Sequence, residues 1–204
     1  MVDKLLNIRN KYTLSEFIKT FYSLLMTKFT FPMARLIRRP IYIRGKKHMS
    51  GCEGLTTGRF CRFDLSGTGN TLIIGKNCEF GDFTHIVAYG KVEIGNNVLM
   101  ASKCFISDVN HGDYSGFEQS NPNWHPNERR LIIKTTRIGN NVWIGENTVI
   151  LAGTQIGDGV VVGANSVISN KVPSNVIVAG APAKIIKKYN MVTRKWERVN
   201  VDSK

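Results

Sequence analysis

The chain has 204 residues, with 28 Lys and Arg against 15 Asp and Glu and a formal net charge of +13. That length suits one domain with a sizeable core. Its four cysteines show no CxxC spacing, which argues against a disulfide scaffold or a zinc ribbon and makes a reduced compartment the default.

Residues 1–40 read as an amphipathic helical segment. Leu14, Phe17, Ile18, Phe21, Leu24 and Leu25 recur at helical spacing over residues 13–31, with Thr13 as N-cap, Glu16 three residues later and Pro32 as the stop. Lys19 and Lys28 interrupt the apolar run, so it is too short and too charged to span a bilayer, and it lacks a signal-peptide cleavage site. A cytoplasmic location is expected.

Residues 1–50 hold eleven basic against two acidic residues, residues 171–204 eight against two, and the middle nine against eleven. Neither end carries a recognised nucleic-acid-binding motif or an interleaved aromatic platform, so no nucleic acid partner is expected. The helix followed by Arg35, Arg38 and Arg39 fits attraction to the inner face of the cytoplasmic membrane, a peripheral contact. The alternative is a helix packed on the rest of the chain or on a neighbouring subunit.

From Ile132, isoleucine or valine returns every sixth residue at 138, 144, 150, 156, 162 and 168, with glycine directly after at 139, 145, 157 and 163. The fifth residue of each six is small or β-branched: Thr136, Val142, Thr148, Thr154, Val160, Ser166 and Val172. A period of six is neither a helical stripe nor a plain alternating strand. Such hexapeptides build a parallel β-helix, whose short strands bury their apolar side chains only by stacking coil on coil. The frame also runs through Ile74, Phe80 and Ile86, resumes after two extra residues near Gly90, and continues at Ile94, Met100 and Ile106. Cys78 and Cys104 fall on the fifth position, where a buried thiol acts as a small hydrophobe. The β-helix spans 41–183, and 184–204 form a short basic C-terminal tail.

Ile106 and Ile132 are 26 residues apart, which gives one repeat plus a 20-residue insertion at about 112–131. Insertions in solenoids become loops on one face, often the binding face. At its mouth the sequence reads Asp108-Val109-Asn110-His111-Gly112, with the histidine closing a repeat. An imidazole there has the chemistry to take a proton from an alcohol attacking an acyl group, although a lone histidine in a polar turn is commonly structural. Asp108 and Asn110 are the candidates to orient it.

The hexapeptides, the Asn-His-Gly before an inserted loop, the run from Ile138 to Gly145 and the closing run from Pro173 to Lys184 resemble the hexapeptide-repeat acyltransferases. Among these the chain is most similar to the lipopolysaccharide and O-antigen O-acetyltransferases. The resemblance implies an all-β fold, a left-handed parallel β-helix assembled as a homotrimer, with active sites between subunits and acetyl-CoA as donor. It implies His111 as general base and an acceptor glycan of a surface polysaccharide, free or lipid-linked.

His85 falls near a position where relatives hold the acceptor with asparagine, and Asn110, Tyr114, Trp124 and His125 are further acceptor candidates at the loop. On the cofactor side the resemblance implies Trp143 beside the CoA arm, with Gly145, Ala152, Gly153 and Ala164 letting backbone approach it. Lys184 and Lys187 would then meet the phosphates. Rival readings are a small-sugar acetyltransferase of the galactoside or maltose type, a trimeric zinc hydratase using His85, His111 and His125, and a purely structural β-helix. The hydratase pattern lacks its second closely spaced histidine, Gly116 standing five residues after His111, so no metal is expected.

Overall fold

A computed structural model describes residues 13–115 and 117–199; the remainder of the N-terminal segment and of the tail, and Gly116, lie outside the described residues. The six-residue period folds as a short strand followed by a corner, and three such units close one triangular coil. Three parallel sheets result, one along each side of the prism. The long sheet stacks seven parallel strands, among them Leu99–Met100, Trp143–Ile144 and Val161–Val162. The second sheet contains Cys61–Leu65, His85–Ala88 and Phe105–Ser107, and the third contains Val92–Ile94, Thr136–Ile138 and Gln155–Ile156.

The core is the column of sixth-position residues. Ile74, Ile86, Ile106, Ile144, Ile150, Val162 and Ile168 are all buried, and so is every fifth-position residue from Thr136 to Val172. Buried hydroxyls there bond to corner carbonyls, as Thr148 Oγ1 does to Gly145 O at 2.8 Å, which removes the penalty for an unpaired donor. Cys78 and Cys104 occupy the same position, and burial raises both thiols. Cys52 is pushed up to about 11 and Cys61 to about 12, each chiefly by burial, so none of the four is a thiolate nucleophile near neutral pH.

Two expectations are revised by the structure. Ile132 does not continue the core column: the chain leaves the solenoid after Ser107, and Val109–His111 pairs antiparallel with Leu131–Ile133 in a separate hairpin, Asn110 opposite Ile132. The periodic spacing at Ile132 was a coincidence of hairpin length, and the frame restarts at Thr136. The basic residues after 183 are also built in. Ala183–Asn190 turns back antiparallel on Val176–Gly180, and Lys195–Arg198 adds the last strand of the long sheet.

The helix spans Leu14–Thr30, with Thr13 Oγ1 accepting from Glu16 N as its cap. It is mounted with its polar face inward. Ser23 and Thr27 are buried against the first coil, where Thr27 Oγ1 accepts from Ile37 N at 2.9 Å and Ser23 Oγ from Arg39 N at 3.2 Å. The apolar residues Leu14, Phe17, Ile18, Phe21, Leu24 and Leu25 are exposed. Packing of that face on the chain's own β-helix is therefore excluded.

Where glycine follows an inward residue, as at Gly95 and Gly145, the coil above dictates it. A Cβ on Gly95 would lie 2.6 Å from the carbonyl carbon of Gly139, a contact that only backbone displacement relieves. Gly95→Ala should therefore destabilise the solenoid by about 1–3 kcal/mol, as overpacking does in tight cores. A thermal melt reads this directly: Tm should fall by several degrees, and an unchanged Tm would show that the coils separate freely at this corner.

Candidate active site

The hairpin that carries His111 is fixed at its root by an aspartate. Asp108 is fully buried, and its carboxylate accepts from the amides of Tyr89, Gly90 and Lys91 at 2.6–3.1 Å. Those amides belong to the two-residue interruption one coil below, so one side chain satisfies the donors that the interruption frees. Its own carbonyl accepts from Lys134 N at 2.8 Å, and Ser107 closes a turn with Val109. The carboxylate of Asp108 thus anchors the hairpin and does not orient the imidazole. Gly90 lacks a Cβ because Ile133 Cγ2 stands 2.2 Å from where it would be.

His111 ends the outgoing strand with its side chain exposed. The Tyr114 hydroxyl donates to its carbonyl at 2.6 Å and accepts from Arg129 Nη1 at 2.8 Å, while Arg129 also donates to the carbonyls of Pro122 and Trp124. One guanidinium therefore gathers the loop and sets it against the histidine. Sequence reasoning missed Arg129, because nothing in its neighbours marks an organising arginine. The hydroxyl of Tyr114 is occupied inside the loop, whereas the rings of Tyr114, Trp124 and His125 face solvent on the same loop.

His85 lies on the second sheet, from whose strand Phe105–Ser107 the hairpin departs. Its Nε2 is 3.0 Å from Asp64 Oδ2, and its ring meets the edge of Phe105 at 5.2 Å between centroids. Arg44 Nε and Arg62 Nε bond the same carboxylate at 2.5 and 2.7 Å. Burial alone would raise the Asp64 pKa, but the three donors outweigh it and hold the carboxyl at about 2. This cluster was legible in principle: Arg44, Asp64 and His85 are spaced by about one coil, so they stack.

The residues assigned to the donor divide among several places. Ala152 and Gly153 sit at the foot of the hairpin, where Gly153 N donates to Lys134 O and to Thr136 Oγ1, both at 3.1 Å. Gly145 packs against Ala164 of the next coil, at a different corner, and its lack of a side chain is already required by the Ala164 amide, 2.5 Å from a Cβ. Trp143, half-exposed, belongs to the long sheet, in register with Val161, then Ile177, then Lys187.

Three residues apart on a regular strand, Lys184 and Lys187 would face opposite ways. A register shift at Ile177/Val178 sets Lys187 opposite Ile177 and Lys184 opposite Ala179, so both lie on the outer face that bears Trp143. Three strand steps separate Trp143 from Lys187, about 14 Å at the usual spacing. That face fits an elongated group with anions at one end. A shallow cleft of about 500 Å³ lies instead on the third sheet, along Glu93, Arg137, Gln155 and Lys171, and shares no residue with either set.

Among the described residues, no three His, Cys, Asp or Glu side chains are grouped to hold a metal ion, so His85, His111 and His125 of one chain do not make the zinc site of the rival reading. No described helix is long and apolar enough to cross a membrane.

The model of the bacterial transferase hexapeptide (six repeats) matches residues 135–170. WbbJ of Escherichia coli strain K12, described as an O-acetyl transferase of lipopolysaccharide biosynthesis, is 42% identical over 195 residues, 95% of this chain and 99% of WbbJ. A hexapeptide-repeat-containing acetyltransferase of Vibrio cholerae, solved in complex with acetyl coenzyme A, matches 67% of this chain and 72% of its own with a TM-score of 0.51 and 27% identity. The N-acyltransferase AntD of Bacillus cereus shares the fold, with a TM-score of 0.63 at 22% identity over 87% of this chain and 90% of its own.

The Asp64 cluster makes stability depend on acid. A carboxyl at about 2 when folded, against about 3.9 unfolded, stabilises the fold fully above about pH 4 and loses that contribution as pH falls towards 2. Melting curves across this range should show Tm falling with acid more steeply in the wild type than in Asp64→Asn; parallel curves would mean that the carboxylate carries no such linkage.

Proposed function

The chain belongs to the hexapeptide-repeat bacterial transferases, and from that membership we propose that it is an O-acetyltransferase moving an acetyl group from acetyl-CoA to a sugar hydroxyl of a surface polysaccharide or its precursor. The 42% identity to WbbJ over nearly the whole of both chains carries this reading, and the exposed histidine at the mouth of the inserted loop has the chemistry it needs. A lipid-linked repeat unit at the inner face of the cytoplasmic membrane suits the basic N-terminal region, with the enzyme cytoplasmic and peripherally attached.

His111 acts as general base. It takes the proton of the acceptor hydroxyl as that oxygen attacks the acetyl carbonyl, so that a carbon–oxygen bond forms and the carbon–sulfur bond breaks, and the imidazolium then returns the proton to the departing thiolate. The hairpin, held by Asp108 and by Arg129 through Tyr114, sets the imidazole in place. His85, fixed by Asp64, is poised to hold another hydroxyl of the sugar, with Asn110 and the Trp124 and His125 rings bordering the loop side. Holding both substrates in one groove can lower a barrier by about 7–11 kcal/mol in well-oriented cases.

Trp143 flanks the donor's arm, and Lys184 and Lys187 meet its phosphates. In one chain this column lies on the long sheet while His111 springs from the second. That separation supports a homotrimer in which each active site is completed by a neighbour, the column of one subunit facing the hairpin of the next.

Two measurements test the assignment. His111→Ala should lower acetyl transfer to a purified glycan acceptor by about 10² to 10⁴-fold while leaving Tm and molecular mass unchanged. Retention of more than about a tenth of wild-type turnover would remove His111 from the chemistry. Replacing Lys184 and Lys187 together by Ala should raise KM for acetyl-CoA with little change in kcat, the signature of lost uniform binding. If the two lysines meet phosphates, the variant's KM should also respond less to salt; an equal salt response in both proteins would place the phosphates elsewhere.

A further inference from the structure

The N-terminal helix is mounted inside out. Soluble helices turn their apolar stripe to the core, yet here Ser23 and Thr27 are 2% and 0% exposed, while Leu14 and Phe29 are 76% and 83% exposed. At 100° per residue, Phe17, Phe21, Leu24, Leu25, Leu14 and Ile18 form one continuous outward arc, and Tyr22 and Phe29 border it. The orientation is fixed, since the inward hydroxyls accept from the amides of Ile37 and Arg39. Rotating the helix to bury the arc would leave both amides without their acceptors. A contiguous outward apolar surface of this kind marks an interaction site.

Charge identifies the occupant. Lys28 stands within the arc, between Phe17 and Phe21, and is itself exposed. The core of a protein–protein interface is depleted of lysine, whereas at a bilayer a lysine stem lies along the apolar layer with its ammonium at the phosphates. Residues 13–48 contain eight Lys and Arg against Glu16 alone, and Glu16 is already bound by Arg59 at 2.7 Å. Beside the helix, a cleft of about 520 Å³ is bordered by Lys19, Tyr22 and Arg39. The Arg39 guanidinium is held in position through Nη2, which donates to Thr30 Oγ1 at 2.9 Å.

We propose that this outward face is a docking surface for an anionic phospholipid membrane, with the apolar arc in the interface layer and Lys19, Lys28 and Arg39 at the headgroups. The inference rests on the reading of the enzyme as acting on a membrane-borne acceptor, and it names the surface that brings enzyme and acceptor together. The helix lies on the first coil. On the second sheet, the strand from which the His111 hairpin departs is three steps from the first strand, about 14 Å. A sugar carried a short way above the headgroups by its lipid anchor falls within that height.

Sedimentation of the full-length protein with phosphatidylcholine vesicles, with and without about one third phosphatidylglycerol, tests the proposal. The wild type should sediment with the anionic vesicles only, and less so as salt rises. The double variant Phe21→Ser/Leu25→Ser and the single variant Lys28→Glu should each lose about ten-fold or more of the binding, with melting curves confirming that they fold. Lys28→Glu alters only an exposed side chain, so it decides the matter if the double variant does not fold.

Wild type that stays in the supernatant overturns the proposal. If the folded double variant also falls apart to monomer in size-exclusion chromatography, the face is a subunit contact. Anionic binding unchanged in Lys28→Glu likewise overturns it. Acetyl transfer to a water-soluble glycan, measured on the same preparations, separates the two readings: transfer without vesicle binding removes only the docking surface, and vesicle binding without transfer to any sugar removes only the enzymatic assignment.

Discussion

Hydrogen bonds between successive coils govern the rest of this molecule. Gly75 N donates to Ile94 O, Gly95 N to Ile138 O, Gly139 N to Ile156 O and Gly157 N to Val172 O, each at 2.8–2.9 Å and each from the same point of its coil. With the register locked in this way, every inward side chain stands above its counterpart. The interior is then a column in which size is repeated, and the sequence must repeat with it. At several corners the same lock leaves no space above the residue that follows the strand, and those positions are glycine. It also places asparagine at corners of left-handed backbone, as at Asn97, Asn141 and Asn165, where the side chains bond along the stack.

A lattice so regular tolerates irregularity only at its corners, and here two irregularities are stacked to compensate each other. The extra residues around Gly90 leave three amides without a partner in the coil, and the departure of the hairpin one coil later leaves Asp108 at the same corner. Carboxylate and amides meet, and an interruption that would otherwise expose buried donors becomes the footing of the hairpin that carries His111. The position of the histidine therefore follows from an arrangement that includes residues twenty positions upstream. Arg129 does the same for the distal part of the loop, tying carbonyls and the Tyr114 hydroxyl to one planar group.

Much of this was legible before any coordinates. The period of six fixed the solenoid, its core and the buried places of Cys78 and Cys104, because a one-dimensional stack writes its structure directly into the spacing of Ile, Val and Gly. The site of the long insertion was legible for the same reason. What the spacing misled about was Ile132, which falls on the beat yet lies in the hairpin, since periodicity cannot tell a strand that stacks from one that turns back. The helix was legible as an amphipathic segment with its Thr13 cap, but not the direction it faces; that depends on Ser23 and Thr27 finding the amides of Ile37 and Arg39, a tertiary match that helical periodicity does not encode. Likewise the shared face of Lys184 and Lys187 depends on one register shift, which no residue type in that strand announces.

The solenoid also separates tasks that a globular core would force together. Each outer face is a surface of stacked side chains whose identity is free of packing demands, because only the inward positions are constrained. One chain can thus hold an anchored carboxylate with two arginines and a histidine on the second sheet, an aromatic-to-lysine column on the long sheet, and an outward apolar helix at the first coil, with little interference between them. The charge follows this division: the coils are near neutral and the basic residues gather at the two ends. At the C-terminal end they line the face proposed to meet the phosphates of a soluble donor, and at the N-terminal end they surround the helix proposed to dock on a membrane. The proposed transfer from a soluble donor to an acceptor held in a bilayer accords with this polarity: basic surfaces stand at opposite ends of one rigid axis, and the hairpin that carries His111 leaves a corner between them.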